Sequence, residues 1–354
     1  MAGPRTFLFH CTAALAVISS MLAVVVFQEP LRALVLPLQD VIEGTTVAYI
    51  CLFVILCKAP EPSPVVITLA GILTWSPPVD LWRWFVTVLA PRLELPGAAG
   101  SGSSAAFGLA LLLAVIIVYW VNGLLLLLME RSICPRTVES YRIQALKPSS
   151  RPDFRHLFAR LAETSVVILP ASVLCLGLAG CWQRLRMEEE LPGPFEVFSH
   201  IALSAVCNEV IFFYGHWLMH KSPTLYSRVH KTHHEFKAPC GLSALYCHPI
   251  ELLASDILPL AFGPVAFRFH AYTGIVWTMF AVMASQTHHC GIRWPWIQFE
   301  AQPNFHDFHH EKFNVNFGAM GWLDNLHGTS WDWQRDDTRF FRTHRIGAKA
   351  AKAA

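Results

Sequence analysis

Three histidine clusters carry the chemistry legible in this chain. His216 and His220 form HxxxH, His230, His233 and His234 form HxxHH, and His306, His309 and His310 repeat HxxHH. Twelve of the 17 histidines lie between His216 and His310. On a helix, positions i, i+3 and i+4 fall within about 100° of arc, so each cluster aims its imidazoles at one side. Imidazoles gathered this way repel one another when protonated and lack partners when neutral and buried. A transition metal resolves both problems, since imidazole suits iron, zinc, copper and nickel. Eight such ligands exceed what one four-coordinate zinc uses, which points to two metals. A lone HxxxH would more often be packing or a zinc site. A pH-sensing cluster would not require three phased repeats.

The elements that position these residues are apolar. Of 354 residues, 54% are hydrophobic and 15% charged, against roughly 25% charged in soluble domains. That balance excludes a disordered chain and argues against an ordinary soluble globule. The net charge of +2 argues against a nucleic-acid partner held by bulk basicity. Ten cysteines without a CxxC pair, most of them in apolar runs, read as buried thiols rather than a disulfide scaffold. Residues 105–129 form the clearest membrane span: 25 residues without a charge. Further candidates are 7–27, 41–57, 65–90, 165–182 and 197–219. Residues 7–27 follow Arg5 and could serve as a signal peptide, but the spans that follow favour an anchor. Residues 257–285 contain Gly263, Pro264 and Arg268 and read as two short helices or a dipping hairpin. Residues 97–104 (GAAGSGSS) read as a flexible linker. Arg131, Arg136, Arg142, Lys147, Arg151, Arg155 and Arg160 fill one loop, and Arg335, Arg339, Arg342, Arg345, Lys349 and Lys352 fill the tail. The positive-inside rule places both, and the histidines with them, in the cytosol.

The expectation is therefore an all-α integral membrane protein, a multi-span helical bundle with a cytosolic His-rich di-metal cap. Residues 1–104 form N-terminal spans and a linker, 105–334 the catalytic membrane domain, and 335–354 a basic cytosolic tail.

The clusters HWLMH, HKTHH and HDFHH resemble those of the fatty acid hydroxylase superfamily of membrane di-iron oxygenases. YRIQ (141–144), NEVIFFYGHWLMH (208–220), LYCHPIE (245–251), THHCG (287–291), FHDFHHEKFN (305–314) and LDNLHGT (323–329) narrow the likeness to the branch holding the C4-methyl sterol oxidases. The resemblance covers roughly residues 105–331 and leaves the first hundred unexplained. It implies two Fe ions, with zinc as an alternative occupant. The implied ligands are His216, His220, His230, His233, His234, His306, His309 and His310, with His289 from THHCG and His248 from the HP step. His288 leaves the register beside His289 open, and His327 reads as structural. His10, His156, His200, His270 and His344 fall outside the pattern.

Metal-bound imidazoles usually have an acceptor on their other nitrogen. Glu209, Glu235, Glu251 and Asp307, with Asp324, lie near enough in sequence to serve. Glu209 stands two helical turns before His216 in an apolar span, where a carboxylate is costly and usually functional. A helix–helix hydrogen bond is the plainer alternative.

The resemblance implies O2-dependent hydroxylation of an unactivated C–H bond in a membrane lipid, with a sterol C4-methyl group as the first candidate. A fatty acyl or sphingolipid hydroxylase or desaturase, or an inactive membrane scaffold, are the alternatives. The ten-residue step from His220 to His230 looks like the hydroxylases rather than the desaturases. Phe212, Phe213, Tyr214, Trp217, Trp277, Met279, Phe280 and Met283 could line a lipid channel, or could be core and lipid contacts. The chain has neither a GxGxxG nucleotide fingerprint nor the HPGG of a fused haem domain. NAD(P)H electrons are thus expected through cytochrome b5 or its reductase. Lys221, Arg228, Lys231 and Lys237 would suit such an acidic donor, or lipid phosphates. The resemblance places the protein in the endoplasmic reticulum membrane.

Overall fold

The protein is described by a computed structural model over residues 79–133, 135–144, 151, 153–293 and 303–330. The spans expected at 7–27 and 41–57, residues 65–78, Lys147, His10, His344 and the basic tail lie outside the described residues. The described residues are helical throughout, with three isolated bridges and no strand. All six described cysteines are free thiols.

The elements are α1 Val79–Trp84, α2 Ser101–Ile133, α3 Pro135–Ser140, α4 Phe154–Leu178, α5 Pro194–Lys221, α6 Pro223–Arg228, α7 Pro249–Ala266, α8 Ala271–His288, α9 Asn304–Lys312 and α10 Trp322–His327. Single π-helical turns interrupt α4 and α7, and another ends α2. Helices α2, α4, α5 and α7 are long and apolar enough to cross a membrane, in keeping with the spans expected from 105–129, 165–182 and 197–219. Residues 257–285 divide into two helices as expected, and of the three residues that marked the interruption the break falls at Arg268 (φ 52°), with His270 capping α8 by accepting the Tyr272 N–H. Pro264 continues inside α7. Gly263 lets α5 approach closely, because a Cβ there would lie 2.9 Å from Ser204 Oγ.

The chain forms two compact units. In the smaller, whose described residues are 79–103 and 187–198, Trp82 donates its indole N–H to the Glu188 carbonyl and Arg83 pairs with Glu189. Residues 97–104 are not the open linker expected. Gly97 and Gly100 adopt left-handed turns, the Glu94 carboxylate accepts the Gly100 and Gly102 N–H groups, and α2 begins at Ser101.

The larger unit stitches α2 to α8 through buried polar groups. Asn122 Nδ2 donates to Gln286 Oε1 (2.7 Å), Gln286 Nε2 to the Tyr119 carbonyl (2.8 Å), and the Tyr119 hydroxyl to the Leu242 carbonyl (2.6 Å). Such bonds hold where lipid offers no competing water. Leu157, Leu161, Phe236, Leu242 and Leu252 fill the core beneath. In α4, the Asp153 side chain caps the helix by accepting the Arg155 N–H, which turns Leu157 and Leu161 inward.

Candidate metal centre

The last two turns of α5 carry His216 and His220. After α6 the chain returns in a tight 3-10 turn, His230–Glu235, that carries the second cluster; α9 carries the third. His289 follows the end of α8. Nine imidazoles converge in two groups. One comprises His216, His220, His230, His234 and His309, the other His233, His289, His306 and His310. Each group's candidate ligand atoms lie within 4.8 Å of one another. All but His220, which is half-buried, are buried.

The partition follows helical spacing. The i, i+4 pairs stay together: His216 with His220, His230 with His234, His306 with His310. The i+3 residue of each HxxHH crosses over, His233 joining the third cluster's pair and His309 the second's. Sequence phasing anticipates the convergence but not this exchange. The second cluster is also 3-10 rather than α-helical, because the chain must turn between Val229 and Phe236.

The Nε2 atoms stand close: His216 to His230 3.0 Å, His230 to His220 2.8 Å, His234 to His309 3.2 Å, His233 to His289 3.2 Å, His289 to His306 2.9 Å, His306 to His310 3.2 Å. For five of the nine, the other nitrogen faces an acceptor. His216 Nδ1 donates to the Phe317 carbonyl (2.7 Å), His230 Nδ1 to Glu251 Oε1 (2.7 Å), His233 Nδ1 to the Tyr246 carbonyl (3.3 Å), His289 Nδ1 to the Ser285 carbonyl (2.7 Å) and His309 Nδ1 to the Val315 carbonyl (2.7 Å). A neutral imidazole has one N–H, so each of these Nε2 atoms presents a lone pair. Lone pairs facing one another near 3 Å repel unless a cation lies between them. Ligands at right angles on an ion bound at about 2.1 Å would be about 3 Å apart, which fits the observed spacings. Among the described residues no carboxylate joins either group. Burial and the neighbouring rings hold His230, His234, His289, His306, His309 and His310 well below the ordinary histidine range; burial alone takes His233 down to about 4. The groups are thus neutral donors ready for a metal.

Of the carboxylates expected behind the imidazoles, Glu251 alone bonds one directly in the contacts described above. The exposed Glu235 accepts the Tyr246 hydroxyl (2.7 Å), one residue removed from His233. That bond adds to burial in pushing the Tyr246 hydroxyl up to about 12. Glu209 and Asp324 bind backbone N–H groups of the 317–321 loop. Asp307 is buried, its carboxylate 3.7 Å from where a Cβ on Gly291 would lie.

His248, expected as a tenth ligand, joins neither group. It caps α7, its Nδ1 accepting the Ile250 N–H at 3.2 Å. His288 ends α8 outside both groups, and His289 is the member of that pair that joins one. His327 stacks on Phe213 and bonds the Tyr214 hydroxyl (3.0 Å). Of the aromatic and methionine residues considered for a channel, Phe213 and Trp277 are buried, while Tyr214, Phe280 and Met283 are exposed.

Sequence reasoning treated Arg142 and Arg151 only as markers of sidedness, yet both pair with the buried Glu130, at 3.1 and 2.6 Å. Arg151 also donates to the Ala238 and Pro239 carbonyls, and Gln144 to those of Lys237 and Asp307. These residues lock the loop after the second histidine cluster against the third. The YRIQ stretch was the available signal.

A family model described as fatty acid hydroxylase matches residues 201–329. The chain is 34% identical over 227 residues to fatty acid hydroxylase domain-containing protein 2 of Homo sapiens, covering 64% of this chain and 65% of that protein. It is 31% identical over 229 residues to very-long-chain aldehyde decarbonylase GL1-8 of Oryza sativa subsp. indica, covering 62% and 82%. To methylsterol monooxygenase 2-2 of Arabidopsis thaliana it is 27% identical over 220 residues, covering 58% and 80%. The match thus spans 65% of the human relative's length. No solved structure matches.

Proposed function

The chain belongs to the fatty acid hydroxylase family, and we propose that it is a multi-pass membrane oxygenase that hydroxylates a membrane lipid, with a sterol C4-methyl group as its substrate. The observation that carries this reading is the pair of buried imidazole groups in which His216 meets His230, and His233 meets His289, Nε2 to Nε2, with the Nδ1 of each of these four rings on an acceptor. The sterol assignment draws on the methylsterol monooxygenase relative.

In this reading His216, His220, His230, His234 and His309 hold one iron, and His233, His289, His306 and His310 the other. Bound there, iron would supply the oxygen chemistry that no protein acid or nucleophile provides. The chain's own contribution is to orient and to exclude water. Glu251 fixes the His230 ring and raises its basicity. The Phe317, Val315, Ser285 and Tyr246 carbonyls fix four more rings. Burial of the rings keeps bulk water from the reacting atoms. In this reading the histidines lie on the cytosolic face of the endoplasmic reticulum membrane, where cytochrome b5 or its reductase delivers NAD(P)H electrons. Lys221, Arg228, Lys231 and Lys237 are exposed and would meet that donor.

The test is expression of the full chain in cells lacking their C4-methyl sterol oxidase, with sterols, acyl lipids and sphingolipids profiled together. Loss of accumulated 4-methyl sterols is expected. Unchanged 4-methyl sterols would overturn the sterol assignment, and a new hydroxylated or desaturated acyl lipid would replace it. A His233→Ala variant should lose both activity and bound iron; full retention of activity would overturn the two-metal reading.

A further inference from the structure

Glu209 stands seven residues before His216, about 10 Å along the axis, near the middle of α5 (Pro194–Lys221). At that level its carboxylate does not touch another helix or an imidazole among its described bonds. It accepts three successive backbone N–H groups of a loop: Ala319 and Met320, each at 2.7 Å, and Gly321 at 3.1 Å. Asp324 accepts the two before them, Phe317 at 2.8 Å and Gly318 at 2.7 Å, together with the Thr329 hydroxyl at 2.7 Å. Both side chains are fully buried. Gly318 is the residue that lets them close in, because a Cβ there would lie 2.6 Å from Glu209 Oε1 and 2.8 Å from Asp324 Oδ2.

Five consecutive N–H groups are thus satisfied by two carboxylates. A loop in water has no need of this. Irregular backbone at membrane depth does, because no solvent is present to take its hydrogen bonds. The loop and α10 expose apolar side chains. Met320 is 59% exposed and Leu326 73%, with Trp322 exposed one helical turn before Leu326 on the same face of α10, and Asn325 and His327 exposed beside them. On α5 itself Val206, Tyr214 and Leu218 are exposed. His327 fastens α10 to α5 by stacking on Phe213 and bonding Tyr214.

We propose that residues 318–327 form a membrane-dipping segment, laid against α5 within the bilayer, with Met320, Trp322 and Leu326 packed on lipid acyl chains. The occupant of this apolar face is lipid because the face lies alongside the middle of a spanning helix whose exposed residues at that level, Val206, Tyr214 and Leu218, are apolar or aromatic. Trp322 and Tyr214 are side chains suited to the interfacial level of a bilayer. The proposal rests on α5 being a span and is independent of the metal or substrate. It gives Glu209 a role that the imidazoles do not: holding a loop whose next carbonyls, Phe317 and Val315, orient His216 and His309.

The test uses the full-length protein in phosphatidylcholine nanodiscs, with p-benzoylphenylalanine replacing Met320, Trp322 or Leu326 singly. Val206 on α5 and the exposed Lys231 serve as lipid and solvent controls. After irradiation, mass spectrometry should find phospholipid adducts at positions 320, 322, 326 and 206, and none at 231. Adducts at 206 alone, or cross-links from 320 and 326 to a second copy of the chain, would overturn the proposal. Absence of the adduct at 206 as well would overturn the reading of α5 as a span beneath it.

Discussion

At the residue scale, Glu251 takes a ring N–H from the candidate metal-binding imidazoles, holding His230 at 2.7 Å. A Glu251→Gln change keeps an acceptor but removes the charge that raises the basicity of His230. Metal affinity should fall about 10–100-fold, read by competition with a chelator of known strength; unchanged affinity would mean that the ring is oriented by packing alone. Glu251 and His248 share the stretch LYCHPIE, and the sequence treats both as candidates. Pro249 separates their fates. Its fixed backbone angle suits the first turn of a helix, so His248 becomes the cap and Glu251 turns inward. That helix start was readable; which side chain faced the metal was not, because it depends on how α7 packs. Arg142 and Arg151 were illegible for a different reason. Charge counted along a loop says nothing of a buried carboxylate such as Glu130 waiting for it.

At the scale of elements, α2 and α8 cross where α2 has no side chain. A Cβ at Gly123 would lie 2.4 Å from Leu242 Cδ2 and 2.6 Å from Gln286 Nε2. Gly123→Ala would gain roughly 0.5–1 kcal/mol in helix propensity against roughly 1–3 kcal/mol of overpacking. Overpacking wins because Leu242 and Gln286 are buried and bonded in place, so the unfolding midpoint should fall; a rise would show the crossing to be loose. Uniform apolar runs made the spans legible, since length and lack of charge suffice for that. The break between α7 and α8 was legible as an interruption marked by Gly263, Pro264 and Arg268, and of the three the chain turns at Arg268. Gly263 and Pro264 are ordinary signals for a break, yet the close approach of Ser204 gives the glycine another use. The 3-10 form of the second histidine cluster carried no sequence signal, since HxxHH fits either helix.

At the scale of the whole molecule, the apolar composition and the histidine surplus describe two layers of one design. The helices supply spans, and the imidazole groups draw together α5, the His230–Glu235 turn, the end of α8 and α9. A metal that binds only the folded form adds stability by mass action, about 2.7 kcal/mol for an ion at 100 times its dissociation constant. Stripping metal with a chelator should therefore lower the unfolding midpoint of the detergent-solubilised protein, and readdition should restore it. An unmoved midpoint would show that the imidazole-bearing segments are held by helix packing alone.

The crossing-over of His233 and His309 has a consequence for assembly. Each HxxHH contributes a pair to one group and a single ring to the other, so an ion seated in either place fixes the backbone that presents ligands to its neighbour. Loading should be cooperative. With metal supplied at half the full complement, native mass spectrometry should find molecules carrying two ions or none, and few carrying one. A cell short of the metal these groups take would then hold fewer finished copies rather than many half-built ones, and scarcity would set the number of working molecules while leaving the quality of each intact.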